Sequence, residues 1–329
     1  MASTRKQWLT IGVAVHSRDV PRGGVALQHH EVFSRFRPFR GEVPTDYGID
    51  FLGTKTHRDF LAGMYTYPAG TMLETCYPTV NEEYLEWIDV LESVVTAREP
   101  YIMLDLGAGF GRWSVRAACA LKQYNHQLPY TLIAVEAEPV VFGWMGRHFQ
   151  DNEIDATKHR LMHAAISNAP GDVLFYIGGP RGGPWDRKPD DWYGQFLAKD
   201  YDVTGEYEID GEYSGLPVRL HKSGWRSINV PGVTLGGLLK DLNRVDLIDM
   251  DIEGQELPSV RSTIEELDAK VKRLHIGTHG KEIEDGLRQL LSAHGWHCLL
   301  DYSLFSQSET PWGPVDFENG VQSWVNPRL

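Results

Sequence analysis

Tyr101-Ile-Met-Leu-Asp-Leu-Gly-Ala-Gly-Phe-Gly-Arg112 is the stretch whose reading decides the fold. A short apolar run ends in Asp105, and glycines follow at alternate positions, Gly107, Gly109 and Gly111. A helix-like segment, Arg112 to Gln123, comes next, so the order reads strand, tight loop, helix. Glycine in such a loop lets the backbone come close to a ligand at the carboxyl end of a strand. The dinucleotide fingerprint needs G-x-G-x-x-G. Here the third glycine comes one residue early, and Arg112 stands where the fingerprint would need it.

Outward from this loop, strand and helix patterns alternate. Upstream, Asn81 to Ala97 reads as an amphipathic helix: Asn81 can cap it, Glu82 and Glu83 occupy its first turn, and Tyr84, Leu85, Ile88, Leu91, Val94 and Val95 recur at helical spacing. Downstream, Thr131–Glu136, Arg160–Ile166, Val245–Asp251 and Val271–Ile276 read as strands, with Val173–Tyr176 continuing the second of these after a Pro170-Gly171 turn. Pro139–Asp151, Glu256–Leu267 and Glu282–His294 read as helices, and Trp296–Phe305 and Val321–Val325 as final strands. The expected class is α/β: a Rossmann-like, mostly parallel sheet with helices on both faces. Residues 1–60 lack sustained periodicity and are expected to be an N-terminal arm, packed on the domain or lying over its substrate. Residues 61–329 are expected to form the main domain. Residues 178–231 break its rhythm with Gly, Pro, Asp, Trp and Tyr, and are expected to be an insertion near the site.

A chain of 329 residues with 42% hydrophobic and 23% charged content suits one large globular domain. A net charge of −13 argues against nucleic acid as the main partner. No apolar stretch approaches a membrane span, and no leader-like segment stands out, so a cytoplasmic protein is expected. Cys76, Cys119 and Cys298 have no metal-ligand spacing and read as buried free thiols.

Several side chains can carry chemistry. Glu136 closes the strand after the glycine loop, where a carboxylate can accept hydrogen bonds from both hydroxyls of a ribose. Asp105 either orients the loop or reaches the amino group of a bound methionine moiety; an acid just before such glycines is typical of loops that hold S-adenosylmethionine (SAM). Asp249, Asp251 and Glu253 alternate, so they share one side of an extended segment. Converging carboxylates need compensation: a metal, a cationic ligand, a raised pKa, or divergence as the strand ends. His279 should follow the fifth strand beside the site, as a general base or a metal ligand. His275, inside that strand, reads as structural. Trp192 and Tyr193 either wall the adenine or acceptor, or pack the insertion.

Taken together these residues resemble the FkbM family of class I SAM-dependent methyltransferases. Asp105-Leu-Gly-Ala-Gly-Phe-Gly111 is similar to its glycine loop, Glu136-Ala-Glu-Pro139 to its E-x-x-P element, Ala165-Ile166-Ser167 to a later small-residue element, and Thr234-Leu235 with Asp251-Ile-Glu-Gly254 to its last motif. The resemblance spans roughly residues 101–300. It implies a seven-stranded sheet whose last strand is antiparallel, with SAM held by Asp105, Gly107, Gly109, Glu136, Ala165 and Asp251. It also implies methyl transfer, commonly to a hydroxyl of a sugar or other natural product. The family often has lysine where Asp249 stands, which implies different local electrostatics here. On this reading His279 is the base, Asp251 and Glu253 position acceptor or cofactor, and the partner is a small-molecule or carbohydrate acceptor, with a homo-oligomer as a further expectation. The rivals are a Mg²⁺-assisted enzyme using Asp249, Asp251, Glu253 and His279, a non-catalytic SAM-binding scaffold, and a nucleotide oxidoreductase, which the glycine spacing disfavours.

Overall fold

The computed structural model describes residues 8–11, 28–61, 67, 68, 70–182 and 194–329. Trp192 and Tyr193, to which the sequence reading gave wall or packing roles, lie outside the described residues. The central sheet contains β1 (Tyr101–Leu106), β2 (Tyr130–Glu136), β3 (Arg160–His163), β4 (Leu247–Met250), β5 (Arg273–Thr278), β6 (His297–Tyr302) and β7 (Gly320–Val325). Their order is β3-β2-β1-β4-β5-β7-β6. β7 runs antiparallel to β5 and β6, and the remaining neighbours are parallel. The fold is therefore the expected Rossmann-like α/β sheet. The chain builds outward from β1 to β3 and then returns to start β4 beside β1. That reversal opens a crevice at the carboxyl ends of β1 and β4, where such sheets bind ligands.

Alternation along the strands fills a core on each face. Tyr101 and Met103 of β1 join one cluster with α1 (Glu82–Thr96) and α2 (Arg112–Tyr124). Leu104 and Leu106 join the other, with α4 (Glu256–Ser262), α5 (Ile264–Lys270) and α6 (Lys281–Ala293). Between β2 and β3, α3 (Pro139–Asp151) begins with proline in its first turn, and the Glu138 side chain accepts the Val141 N–H. The Asn81 side chain caps α1 by accepting the Tyr84 N–H.

Three local expectations are corrected. The helix read over Glu256–Leu267 breaks at Thr263 into α4 and α5. Strand Gly171–Tyr176 does not extend the central sheet; it pairs antiparallel with Arg226–Val233 in a second sheet that also holds Leu216–His221 and Tyr207–Tyr213. Much of the insertion is thus an antiparallel sheet, whose own small core includes Phe175, Ile177, Ile228 and Val230. A hairpin, Ser306–Thr310 with Gly313–Phe317, separates β6 from β7. Finally, Cys76 and Cys298 are exposed rather than buried.

Residues 28–61 are tied into the main core. Phe33, Phe36 and Phe51 are buried in the cluster that holds α1 and α2. Asp50 binds Arg116 of α2 at 3.2 Å, and the Arg116 guanidinium lies 4.3 Å from the ring centres of both Trp87 and Trp113. No described helix is long and apolar enough to cross a membrane.

Candidate functional site

A cleft of about 230 Å³ opens at the β1–β4 reversal. One wall is the backbone-rich end of β1 and β2, with Gly107, Ala108, Glu136 and Ala165. Gly107 adopts φ +77°, and a Cβ on it would stand 1.8 Å from the Asp251 carbonyl oxygen. Any side chain there would push β1 and β4 apart, so the glycine is a packing requirement as well as a turn residue. Gly109 does not line the cleft; its N–H donates to Glu136 Oε2 at 2.8 Å and holds that carboxylate in place. The Glu138 N–H donates to Oε1 at 2.7 Å. These bonds use only part of what a carboxylate can accept. Burial pushes the Glu136 carboxyl up to about 7 in spite of them.

Asp105 settles one alternative left open by the sequence. Its Oδ2 accepts both the N–H and the hydroxyl of Ser114, at 2.9 and 2.7 Å, so it pins the start of α2 to the end of β1. It still lines the cleft, and burial pushes its carboxyl up to about 6.

The opposite wall is acidic. Strand register places Asp105, Asp249, His275 and Ser323 side by side on β1, β4, β5 and β7, on the face that α1 covers. From α1, Glu86 meets Asp249, and buried Asp89 meets His275 and Ser323. Glu82 and Glu83 also line the cleft. Glu83 pairs with Arg112 at 2.7 Å, and Glu82 Oε2 accepts backbone N–H groups of Glu318 and Asn319. Sequence reasoning assigned Glu82 and Glu83 to the helix terminus and passed over Glu86 and Asp89. A usable signal was there: Glu82, Glu86 and Asp89 follow the same i, i+3, i+4 spacing as the apolar residues.

The carboxylates Asp249, Asp251 and Glu253 do not form one triplet. β4 ends at Met250, and Glu253 turns into the left-handed region at φ +50°, strained for a non-glycine residue. Asp249 therefore joins Glu86 and His275, while Asp251 and Glu253 join His279. The four-residue metal set drawn from the sequence is corrected accordingly. His279 also departs from expectation. It does not line the cleft. Its Nδ1 lies 2.8 Å from Glu256 Oε1, and its Nε2 lies 3.2 Å from Asp251 and 3.5 Å from Glu253. Burial alone would lower its pKa, but the Glu256 hydrogen bond and the charges of Asp251 and Glu253 outweigh that and raise it to about 10. At neutral pH it is an imidazolium, so the expected neutral base is corrected to a fixed cation that offsets its acids. His275, read as structural, does line the cleft.

The sequence profile described as "Methyltransferase FkbM domain" matches residues 105–296, more than half of the chain. A protein of Jannaschia sp. (strain CCS1), provisionally named a methyltransferase, is 27% identical over 224 residues, covering 67% of this chain and 71% of its own length. Among solved structures, methyltransferase FkbM from Methylobacillus flagellatus KT is 13% identical with a TM-score of 0.39, over 70% of this chain and 45% of that one. Precorrin-6y C5,15-methyltransferase from Geobacter metallireducens GS-15 is 10% identical with a TM-score of 0.37, over 75% of this chain and 90% of that one. Scores this low add nothing to the fold, which rests on the strand order itself.

Proposed function

The chain belongs to the FkbM methyltransferase family, and from that premise we propose that it methylates a hydroxyl oxygen of a small molecule, sugar or glycosylated natural product, using SAM. The family implies the methyl donor, and the cleft's first wall fits it. Gly107 keeps the loop free of side chains, and Glu136 has acceptor capacity left for a pair of ribose hydroxyls. Gly107, Glu136 and Ala165 would hold it, with Gly109 acting through Glu136 and Asp105 through the start of α2. When bound, SAM supplies an electrophilic methyl group on a sulfonium.

The observation that carries the hydroxyl reading is the chemistry of the second wall. Glu82, Glu83, Glu86, Asp249, Asp251 and Glu253 line it. Carboxylates accept hydrogen bonds and donate none when ionised. Burial raises the carboxyls of Glu82 to about 7 and Asp249 to about 8, and lifts Glu86 well above its ordinary value, so near neutral pH the wall can both donate to and accept from the O–H groups of a polyhydroxylated acceptor. Asp251, with 57% of its side chain exposed at ion-pair distance from His279, is the group placed to take the proton. With SAM held on the first wall, the acceptor oxygen would take the methyl group and the departing sulfur would keep the electron pair of the S–CH₃ bond. The hydroxyl proton passes to Asp251. Burial raises the Asp251 carboxyl and the His279 charge opposes that rise, which makes His279 a positioning group rather than the base. Alignment and exclusion of water supply the rest of the rate.

The test is incubation with SAM and a panel of neutral hydroxylated compounds, their carboxylated analogues and amines, followed by product mass and linkage analysis. The reading expects O-methyl products from neutral acceptors. Exclusive N- or C-methylation, or preference for anionic acceptors, overturns it.

A further inference from the structure

Three side chains from three elements converge on the acidic wall: Glu86 of α1, Asp249 of β4 and His275 of β5. One donor atom from each lies within 4.8 Å of the others, and all three line the cleft. Asp249 and His275 are register neighbours on adjacent strands and are 3% and 4% exposed. His275 Nδ1 lies 2.7 Å from Asp89 Oδ2. A carboxylate can only accept, so Nδ1 carries the proton and Nε2 is the nitrogen left for a ligand. Asp89 is itself fully buried and fixed by Arg273 and by the Ser323 hydroxyl at 2.6 Å. A carboxylate behind a histidine in this manner is the usual support for a metal-binding imidazole. A further observation points the same way: Asp249 Oδ1 is buried with no N–H or hydroxyl group donating to it, and the side chain that Asp249 meets is another carboxyl, Glu86. A buried acceptor left unpaired is costly and calls for a ligand.

We propose that Glu86, Asp249 and His275 bind a divalent cation, with Asp89 orienting His275. Two oxygen donors and one imidazole suit Mn²⁺ better than the all-oxygen preference of Mg²⁺, and Zn²⁺ should compete. The outer cluster is the weaker candidate. Its unpartnered buried atom is His279 Nε2, and the ion pairs to Asp251 and Glu253 already account for it. Such a cation would share the cleft with the acceptor and could hold a hydroxyl oxygen, easing loss of its proton to Asp251. That role rests on the hydroxyl reading; the site itself does not.

The experiment is titration of the chelator-stripped full chain with MnCl₂, read by loss of the free Mn²⁺ electron paramagnetic resonance signal and by calorimetry. Saturable binding at about one ion per chain is expected. Asp249→Asn, Glu86→Gln and His275→Gln should each weaken it more than about 10-fold, and Asp89→Asn by about 10–100-fold through His275. Asp251→Asn and Glu253→Gln should leave Mn²⁺ affinity unchanged. Melting curves identify any variant that fails to fold, and the remaining variants then carry the comparison. No saturable binding to the wild type, binding indifferent to the inner-cluster variants, or binding lost with Asp251→Asn overturns the proposal. None of these readouts depends on an acceptor, so failure of the site and failure of the hydroxyl reading are separable.

Discussion

The two walls of the cleft are built by different means. The β1–β2 wall is largely backbone: a glycine loop, one carboxylate held by main-chain N–H groups, and a small residue at Ala165. The β4–β5 wall is side chains, drawn from α1, the end of β4 and β5 and brought together only when the helix packs across the strands. Backbone walls tolerate change at exposed positions but fail where a Cβ has no room. Side-chain walls fail one charge at a time. Mutations should therefore separate them by the kind of damage as well as its size.

The largest effect is expected where the walls touch. Gly107→Val places a side chain in a left-handed conformation against the Asp251 carbonyl. Destabilisation above about 3 kcal/mol and loss of SAM binding should follow, measured by denaturant melts and calorimetry. A stable variant that binds SAM normally would break the picture of a backbone contact joining the two walls.

Asp251→Asn should lower turnover by about 10²–10⁴-fold with SAM affinity nearly unchanged, if it takes the acceptor's proton. An equal loss of SAM affinity would move Asp251 to the cofactor wall. Steady-state rates set against calorimetric affinities decide between these.

His279→Gln removes the cation between Asp251, Glu253 and fully buried Glu256. A loss of about 3 kcal/mol is expected, at the low end for breaking a buried pair. Because the folded pKa is raised to about 10 from 6.5, the imidazolium stabilises fully below pH ~6.5, and that contribution fades as the pH rises toward ~10. Wild-type stability should thus fall more steeply than that of His279→Gln over this window. A wild-type rate profile with an inflection near pH ~6.5 that vanishes in His279→Gln would restore the neutral-base role.

The smallest effect belongs to the cofactor wall. Glu136→Ala should weaken SAM by about 1.5–3 kcal/mol, the range for hydrogen bonds to a charged group, without changing the rate at saturation. Since burial sets its pKa at about 7, wild-type SAM affinity should decline below that pH as the carboxylate is protonated, and Glu136→Gln should flatten the decline. An unchanged pH dependence would remove the carboxylate from SAM binding.

The cofactor wall was legible in the sequence because its constraints are local. A strand that ends in Asp105, glycines two residues apart and an acid closing the next strand sit within about forty residues of chain and follow from turn geometry alone. The α/β class was legible for a related reason: period-two and period-3.6 patterns report which faces are buried, and alternating strands and helices imply a mostly parallel sheet. The antiparallel sheet within the insertion was not: Leu216, Val218 and Leu220 do alternate along one of its strands, but the neighbouring Tyr207–Tyr213 is mostly exposed and buries no apolar face of its own.

Sequence by itself determined the α/β class, the loop beside β1, and the acids at the end of β4. Only the tertiary structure decided which acids face which histidine. Asp89 and His275 are 186 positions apart in the chain and 2.7 Å apart in space. Strand alternation predicts the face a residue takes while the strand lasts, so Asp249 stays in register with His275, but Asp251 and Glu253 lie beyond the last paired residue and are aimed by the turn. Protonation followed from the same packing. An imidazole takes its charge from its neighbours, and the neighbours of His279 come from the end of β4 and the start of α4, which meet it only in the folded chain.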